Sequence, residues 1–201
     1  MLDRAIQAAI QPLLTRAARQ LVAAGIGANA ITVTGFVVGV TAAVAIALEA
    51  YLVGLALLLA SRLMDGLDGA VARATQPTDR GGFLDITLDF LFYASIPLAF
   101  AIAHPAQNAL PAAVLLAAFI GTASSFLAFA IVAEKHRIAS TAFPDKSFYF
   151  LGGLTEATET IIAFAAMCLW PAAFASIAYG FAVLCVITIA MRIGWGWQRF
   201  G

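Results

Sequence analysis

The sequence predicts an all-α integral membrane protein with six transmembrane helices and an N-terminal interfacial amphipathic helix. Of its 201 residues, 63% are hydrophobic and only 11% are charged, whereas a soluble domain has about 25% charged residues. The mean hydropathy is +0.96. Apolar segments long enough to cross a bilayer as helices recur along the chain, and short polar pieces separate them.

The N-terminal segment, residues 1–28, predicts a juxtamembrane amphipathic helix. Its apolar residues recur at helical spacing, with arginines and glutamines between them. It lacks the uninterrupted apolar core and cleavage site of a signal peptide. We expect this helix to lie on the membrane surface, with Pro12 starting or kinking it. An ordinary packing helix is the alternative.

Residues 29–201 predict one transmembrane domain of six spans. Gly35 and Gly39 in the first span suit close helix packing. The short connection between the second and third spans predicts that these two are antiparallel neighbours. The predicted spans are 29–49, 51–73, 81–103, 107–133, 149–169 and 173–193.

The basic residues predict the orientation. All 11 lysines and arginines fall at or near one face of this arrangement, and the opposite loops contain Glu49 and His104 instead. The positive-inside rule makes the basic face cytoplasmic. We therefore expect a multi-pass protein of the inner (cytoplasmic) membrane with both termini in the cytoplasm, and no nucleic-acid partner.

Four carboxylates stand out in this apolar chain. Asp65 and Asp68 are three residues apart near the end of the second span, and Asp85 and Asp89 are four apart near the start of the third. Both spacings place the paired side chains on one helix face. The four can therefore converge just inside the cytoplasmic boundary.

Four carboxylates this close together repel one another when ionised, so something must stabilise or remove their charge. The carboxylates could be protonated, hydrated, or paired with arginine, but Arg62 and Arg73 could neutralise only two of the four. A divalent cation, or a pair, explains the convergence of all four. Oxygen ligands favour Mg²⁺, Mn²⁺ or Ca²⁺ over zinc. Gly66 and Gly69 allow a ligand to approach the backbone, and Arg73 can bind phosphate, so the segment suggests metal-assisted phosphoryl chemistry on a pyrophosphate group.

These residues resemble the signature of the CDP-alcohol phosphatidyltransferase family, D-x-x-D-G-x-x-A-R followed by G-x-x-x-D-x-x-x-D. The chain reads DGLDGAVAR from Asp65 to Arg73 and GGFLDITLD from Gly81 to Asp89. The spacer between them, ATQPTDR, is one residue shorter than is common. The resemblance implies six spanning helices after an interfacial helix, a homodimer, and a site open to the cytoplasmic leaflet.

The resemblance also implies the roles of individual residues. Two divalent ions, Mg²⁺ or Mn²⁺, would bind Asp65, Asp68, Asp85 and Asp89, with Asp65 and Asp85 bridging them. Asp89 would be the general base. The implied reaction is attack by a small alcohol on the lipid-attached phosphate of CDP-diacylglycerol, with release of CMP, in phospholipid biosynthesis. The implied donor-binding residues are Asn29, Ala30, Ile31, Thr32, Gly69, Arg73 and Thr78.

The acceptor alcohol is less clearly encoded. Basic residues at the cytoplasmic face could bind a phosphorylated acceptor, although membrane orientation alone also explains them. Two glutamates in the fifth span could line the acceptor pocket, or form a buried structural pair. The family's branches with phosphorylated acceptors carry arginines after these glutamates, where this chain has Ala157 and Thr160. The candidate acceptor-binding residues are Lys135, Arg137, Lys146, Glu156, Glu159 and Arg192.

We expect glycerol 3-phosphate as the acceptor, with inositol phosphate, serine or another polyol as alternatives. A function of a different class, a metal-ion or solute transporter, predicts acidic residues near the membrane midplane on several helices. The aspartates instead cluster at one boundary, together with glycine and arginine residues that ion transport does not need.

Overall fold

The computed structural model describes residues 2–136 and 154–200, with side chains from residue 10 onward. These residues form seven α-helices and one short 3-10 turn, Pro171–Ala173, and contain no strand. The helices are α1 (Leu2–Ala23), α2 (Ala28–Ala47), α3 (Tyr51–Ala74), α4 (Asp79–Ala103), α5 (Pro105–Lys135), α6 (Ala157–Leu169) and α7 (Phe174–Phe200).

Four helical segments of the described chain are long and apolar enough to cross a membrane: α2, α4, α5, and α7 with the turn before it. Helix α3 has sufficient length but carries Arg62, Asp65 and Asp68 from its middle onward. Helix α6 has 13 residues, fewer than the roughly 20 that a span needs. The all-helical class is therefore confirmed, and six spans remain a prediction.

The predicted fifth span, 149–169, is wrong at its start within the described residues. Residues 154–156 are not helical, and α6 begins at Ala157. The Thr188 hydroxyl of α7 accepts hydrogen bonds from the backbone N–H groups of Leu154 and Thr155, at 3.2 Å each. These N–H groups are satisfied by a neighbouring helix, so the chain does not need helical geometry there.

Helix α1 packs on α3 and α6. Leu14 and Ala18 are buried in a cluster with Ile31, Ala70 and Val71, whereas Arg16 and Arg19 are exposed. The helix begins well before Pro12, so Pro12 does not start it. The packing alternative thus holds for one face of α1, and its position on the membrane surface stays a prediction.

Glycines let α2 approach both α3 and α4. A Cβ atom on Gly39 would lie 2.5 Å from Phe92 Cδ2 of α4 and 2.8 Å from Ser61 Oγ of α3. A Cβ atom on Gly35 would lie 3.1 Å from Met64 Cβ of α3. The close packing predicted for Gly35 and Gly39 is confirmed, and it places α2 against both helices that carry the aspartates.

Aromatic packing closes the core below this region. Phe92, Phe100 and Phe174 are fully buried, and the rings of Phe100 and Phe174 stack at a centroid distance of 4.6 Å. The polar end of the α3–α4 pair therefore lies above a dry aromatic layer.

Candidate active site

The carboxylates line a small pocket between α2, α3 and α4. Helices α3 and α4 each pack along α2 but make little backbone contact with each other. The two helices meet through side chains, since Arg62 of α3 contacts Asp89 and Phe92 of α4, while α2 packs against both helices at its glycines. The pocket is lined by Thr32, Gly35, Phe36, Ser61, Arg62, Asp65, Asp68, Asp85, Leu88 and Asp89.

Three of the four predicted metal ligands converge. Asp65, Asp68 and Asp85 each place one carboxylate oxygen within 4.8 Å of the others. Asp68 is only 5% exposed, and its Oδ2 atom is buried without a hydrogen-bond partner among the described residues. A buried carboxylate oxygen without a donor is costly unless a cation binds it. The donor set, all carboxylate oxygen, fits a hard divalent ion.

The fourth aspartate has a different partner. Asp89 forms an ion pair with Arg62, whose Nη1 also lies 3.4 Å from Asp65 Oδ1. The Arg62 side chain is 9% exposed and its Cζ lies 3.9 Å from the centre of the Phe92 ring. Of the two arginines considered from the sequence, Arg62 is the one that neutralises part of the cluster.

One of the donor-binding candidates lines this pocket, and two others lie where the first turns of α2 and α4 meet. Thr32 lines it directly, and Thr78 caps α4 by accepting a hydrogen bond from Gly81 N at 3.1 Å. The Asn29 side chain lies beside Gly81, because a Cβ atom there would be 3.1 Å from Asn29 Oδ1. The first turns of α2 and α4 therefore meet.

The four remaining donor-binding candidates lie on α3 and α2. The Arg73 guanidinium lies over Gly69, where an added Cβ atom would be 3.2 Å from Nη1. Ala30 is exposed. Ile31 is 5% exposed and packs in the cluster under α1, so its side chain has a packing role.

Two acceptor-binding candidates, Glu156 and Glu159, form a capping box at the start of α6. Glu159 Oε2 accepts a hydrogen bond from Glu156 N at 3.1 Å. A capping box satisfies N–H groups that have no partner within the helix. The structure thus gives the glutamate pair a role in starting α6.

The basic candidates are separated along the chain. Arg192 is 8% exposed and donates from Nη1 to the Thr122 carbonyl of α5 at 2.9 Å. Lys135 is exposed in the last turn of α5. Arg137 and Lys146 lie outside the described residues.

Sequence reasoning did not identify the pairing of Arg62 with Asp89 or the support that Ser61 gives Arg62. Ser61 Oγ lies 3.3 Å from Arg62 Nη2 and donates to the Gly35 carbonyl at 2.7 Å. The signal available in the sequence was Arg62 three residues before Asp65 in an apolar helix, which places both on one face.

The chain is similar to one protein family and to two named proteins. Residues 26–193 match the CDP-alcohol phosphatidyltransferase family. The chain is 52% identical over 197 residues to "Inner membrane protein YnjF" of Escherichia coli K12, covering 98% of this chain and 96% of that protein. It is 52% identical over 65 residues to "Archaetidylinositol phosphate synthase" of Methanothermobacter thermautotrophicus, covering 32% of this chain and 33% of that protein.

Two crystal structures share the fold. Both are of Mycobacterium tuberculosis phosphatidylinositol phosphate synthase, one with CDP-DAG bound and one in complex with manganese and citrate. The TM-scores are 0.73 and 0.72, each at 22% sequence identity. The aligned regions cover 92% of this chain in both cases, and 94% and 88% of the respective solved chains.

Proposed function

Because the chain belongs to the CDP-alcohol phosphatidyltransferase family, we propose that it transfers the phosphatidyl group of CDP-diacylglycerol to a small polyol. The observation that carries this proposal is the convergence of Asp65, Asp68 and Asp85, together with an Asp68 Oδ2 atom that has no hydrogen-bond partner within the described part of the chain. This arrangement lies in a pocket that also contains Asp89, the residue matching the family's general base.

Asp65, Asp68 and Asp85 would hold divalent metal, with Asp89 as the fourth ligand of a two-ion site. Bound Mg²⁺ or Mn²⁺ would supply electrophilic stabilisation of the phosphate oxygens and the leaving CMP. A solved relative in complex with manganese supports a divalent ion.

Asp89 has the position and chemistry of a base. Its side chain is 30% exposed at the pocket, so an acceptor hydroxyl can reach it. The acceptor oxygen would attack the phosphorus next to the lipid as its proton passes to the Asp89 carboxylate. The bond from that phosphorus to the CMP oxygen breaks, and CMP leaves.

The donor's nucleotide would bind at the opening between the first turns of α2 and α4. Thr32 lines the pocket, while Asn29 and Thr78 lie at the turns beside Gly81. Arg73 above Gly69 supplies a cation for a phosphate of the donor. A solved relative with CDP-DAG bound supports this class of donor.

Two alcohols are favoured as the acceptor. Glycerol 3-phosphate is the sequence-based expectation, and inositol phosphate is supported by the names of the synthases similar to this chain. Both are phosphorylated polyols, and Arg192, Lys135, Arg137 and Lys146 are the cations that could bind their phosphate. Serine and unphosphorylated polyols serve as the contrasting acceptors.

The transporter alternative is not retained. It requires acidic residues on several helices, whereas the converging aspartates belong to α3 and α4 alone. The family match is to transferases.

We also propose an inner-membrane location with both termini cytoplasmic, a surface-bound α1, and a homodimer. The name of the Escherichia coli relative supports the location, and the exposed Arg16 and Arg19 of α1 suit contact with lipid headgroups.

The test is CMP release from CDP-diacylglycerol by purified protein in mixed micelles with Mg²⁺ or Mn²⁺. The acceptor panel contains glycerol 3-phosphate, inositol phosphate, inositol, glycerol and serine. We expect release with one phosphorylated polyol and a loss of about 100-fold or more in Asp89→Asn. Asp79→Asn is the matched control, because Asp79 is an exposed aspartate of the same segment. No release with any acceptor from a protein that binds the donor would contradict the proposal.

A further inference from the structure

Arg62 lies outside the family signature, which begins three residues later at Asp65. Its guanidinium pairs with Asp89 of α4 and lies 3.4 Å from Asp65 Oδ1 of α3. It therefore stands between two of the carboxylates to which two divalent ions would bind. The other two, Asp68 and Asp85, have no contact with Arg62 among the ion pairs of the described residues.

The guanidinium is fixed by more than the carboxylates. Phe92 lies under it at 3.9 Å, and the Tyr93 ring centre is 5.5 Å from its Cζ. Nη2 lies 3.3 Å from Ser61 Oγ, which is itself bonded to the Gly35 carbonyl of α2. A guanidinium held by Phe92 of α4 and by Ser61 of α3 in this way is a permanent cation of the pocket, unlike an exposed arginine that can swing into solvent.

The charges make the two metal positions unequal. The Arg62 guanidinium already offsets carboxylate charge at Asp89 and, more distantly, at Asp65, so a cation beside Asp89 finds less uncompensated negative charge. The first ion can bind Asp65, Asp68 and Asp85, of which only Asp65 lies near Arg62, at 3.4 Å from Nη1, whereas Asp89 is the direct ion-pair partner of Arg62. A second ion beside Asp89 meets the guanidinium at close range and is repelled. The pyrophosphate of the donor supplies the negative charge that offsets this repulsion.

We propose that Arg62 is a positioning residue that orders metal binding: one ion binds Asp65, Asp68 and Asp85 in the absence of donor, and a second binds beside Asp89 only together with the donor's pyrophosphate. This inference rests on the proposed function, since it assumes that the aspartates bind divalent metal.

The experiment is a titration of purified protein in detergent with Mn²⁺ alone, followed by electron paramagnetic resonance of free Mn²⁺ and by calorimetry. We expect one tight ion per chain and a second at least about tenfold weaker. CDP-diacylglycerol without acceptor should tighten the second ion by at least about tenfold. In Arg62→Met the two ions should bind without donor with affinities within about threefold of each other.

Two variants serve as controls. Arg62→Lys keeps the positive charge and should keep the unequal binding. Arg16→Met removes an exposed arginine of α1 and should leave both ions as in the unchanged protein. Should Arg62→Met fail to fold, Arg62→Gln, which removes the same charge with a polar side chain, takes its place in the titration.

The outcomes distinguish a failure of the role proposed for Arg62 from a failure of the metal site itself. Two equal ions without donor, or a single ion with and without donor, would overturn the role of Arg62 while leaving a metal-dependent transferase intact. An Arg62→Met protein that binds Mn²⁺ as the unchanged protein does would have the same meaning. No bound Mn²⁺ under any condition would overturn this inference and the proposed metal site together.

Discussion

Two contacts between a carboxylate and a basic side chain connect the chain near α3 with the chain near α4, and they differ in their surroundings. Arg62 and Asp89 meet in the pocket, where their side chains are 9% and 30% exposed. Glu49 and His104 meet at the other end of these helices, 3.5 Å apart, with 58% and 45% exposed. Solvent screens the second pair, so each of its members can be replaced singly. The first pair has an aromatic ring beneath it and further carboxylates beside it, so its members act as a unit with the site.

Removing one of the pocket carboxylates should have the largest effect on the rate of CMP release. We expect Asp85→Asn to lower the rate of CMP release by at least about 100-fold, because an amide loses the charge that binds a hard divalent ion. The same variant should lose the tight Mn²⁺ ion in a direct titration. Full activity in this variant would mean that the three converging carboxylates are not the metal site.

The close packing of α2 on α4, which supports the pocket, should have the next largest effect. In Gly39→Ala the new Cβ atom would lie 2.5 Å from Phe92 Cδ2, under the Arg62 guanidinium. We expect the free energy of unfolding in detergent to fall by about 1–3 kcal/mol from overpacking. Gly180→Ala is the matched control, since nothing lies within 4 Å of its added Cβ atom. Equal stability of the two variants would show that α2 can move away from α4 without cost.

The capping glutamates at the start of α6 should have a smaller effect on stability. Glu159→Ala should lower the free energy of unfolding by about 0.5–1 kcal/mol, because the Glu156 N–H loses its acceptor. Glu159→Gln can still accept this bond and should keep the stability. We expect the acceptor KM to change little in both. A KM raised more than about threefold in a stable Glu159→Gln protein would instead place Glu159 in the acceptor pocket.

The smallest effect is expected at the exposed pair. Glu49→Gln should change the free energy of unfolding by no more than about 0.5 kcal/mol and leave CMP release unchanged. Thermal unfolding of the two proteins in the same detergent measures the difference. A fall in the free energy of unfolding as large as that of Gly39→Ala would show that the exposed Glu49–His104 contact matters as much as the packing at the pocket.

Local spacing was sufficient to predict much of the site. The i, i+3 spacing of Asp65 and Asp68 and the i, i+4 spacing of Asp85 and Asp89 set their helix faces, so a carboxylate cluster followed from the chain alone. The helix bounds of α2, α4 and α5 also lie within a few residues of the predicted spans, because long apolar runs end at polar turns.

Long-range contacts account for what the sequence could not predict. The start of α6 depends on the Thr188 hydroxyl, which comes from a helix that follows α6 in the chain. The choice of Arg62 over Arg73 as the partner of Asp89 depends on how α3 and α4 are turned against α2. Neither relation produces a period or a motif along the sequence.

The unpartnered Oδ2 of Asp68 has a consequence for the lifetime of the protein in the cell. An ion that binds only the folded chain stabilises it by about 2.7 kcal/mol when its free concentration is 100 times its Kd. When divalent ions become scarce, more chains open and become substrates for proteolysis. With the proposed metal site, the abundance of this enzyme should therefore fall when the cell's supply of divalent ions falls.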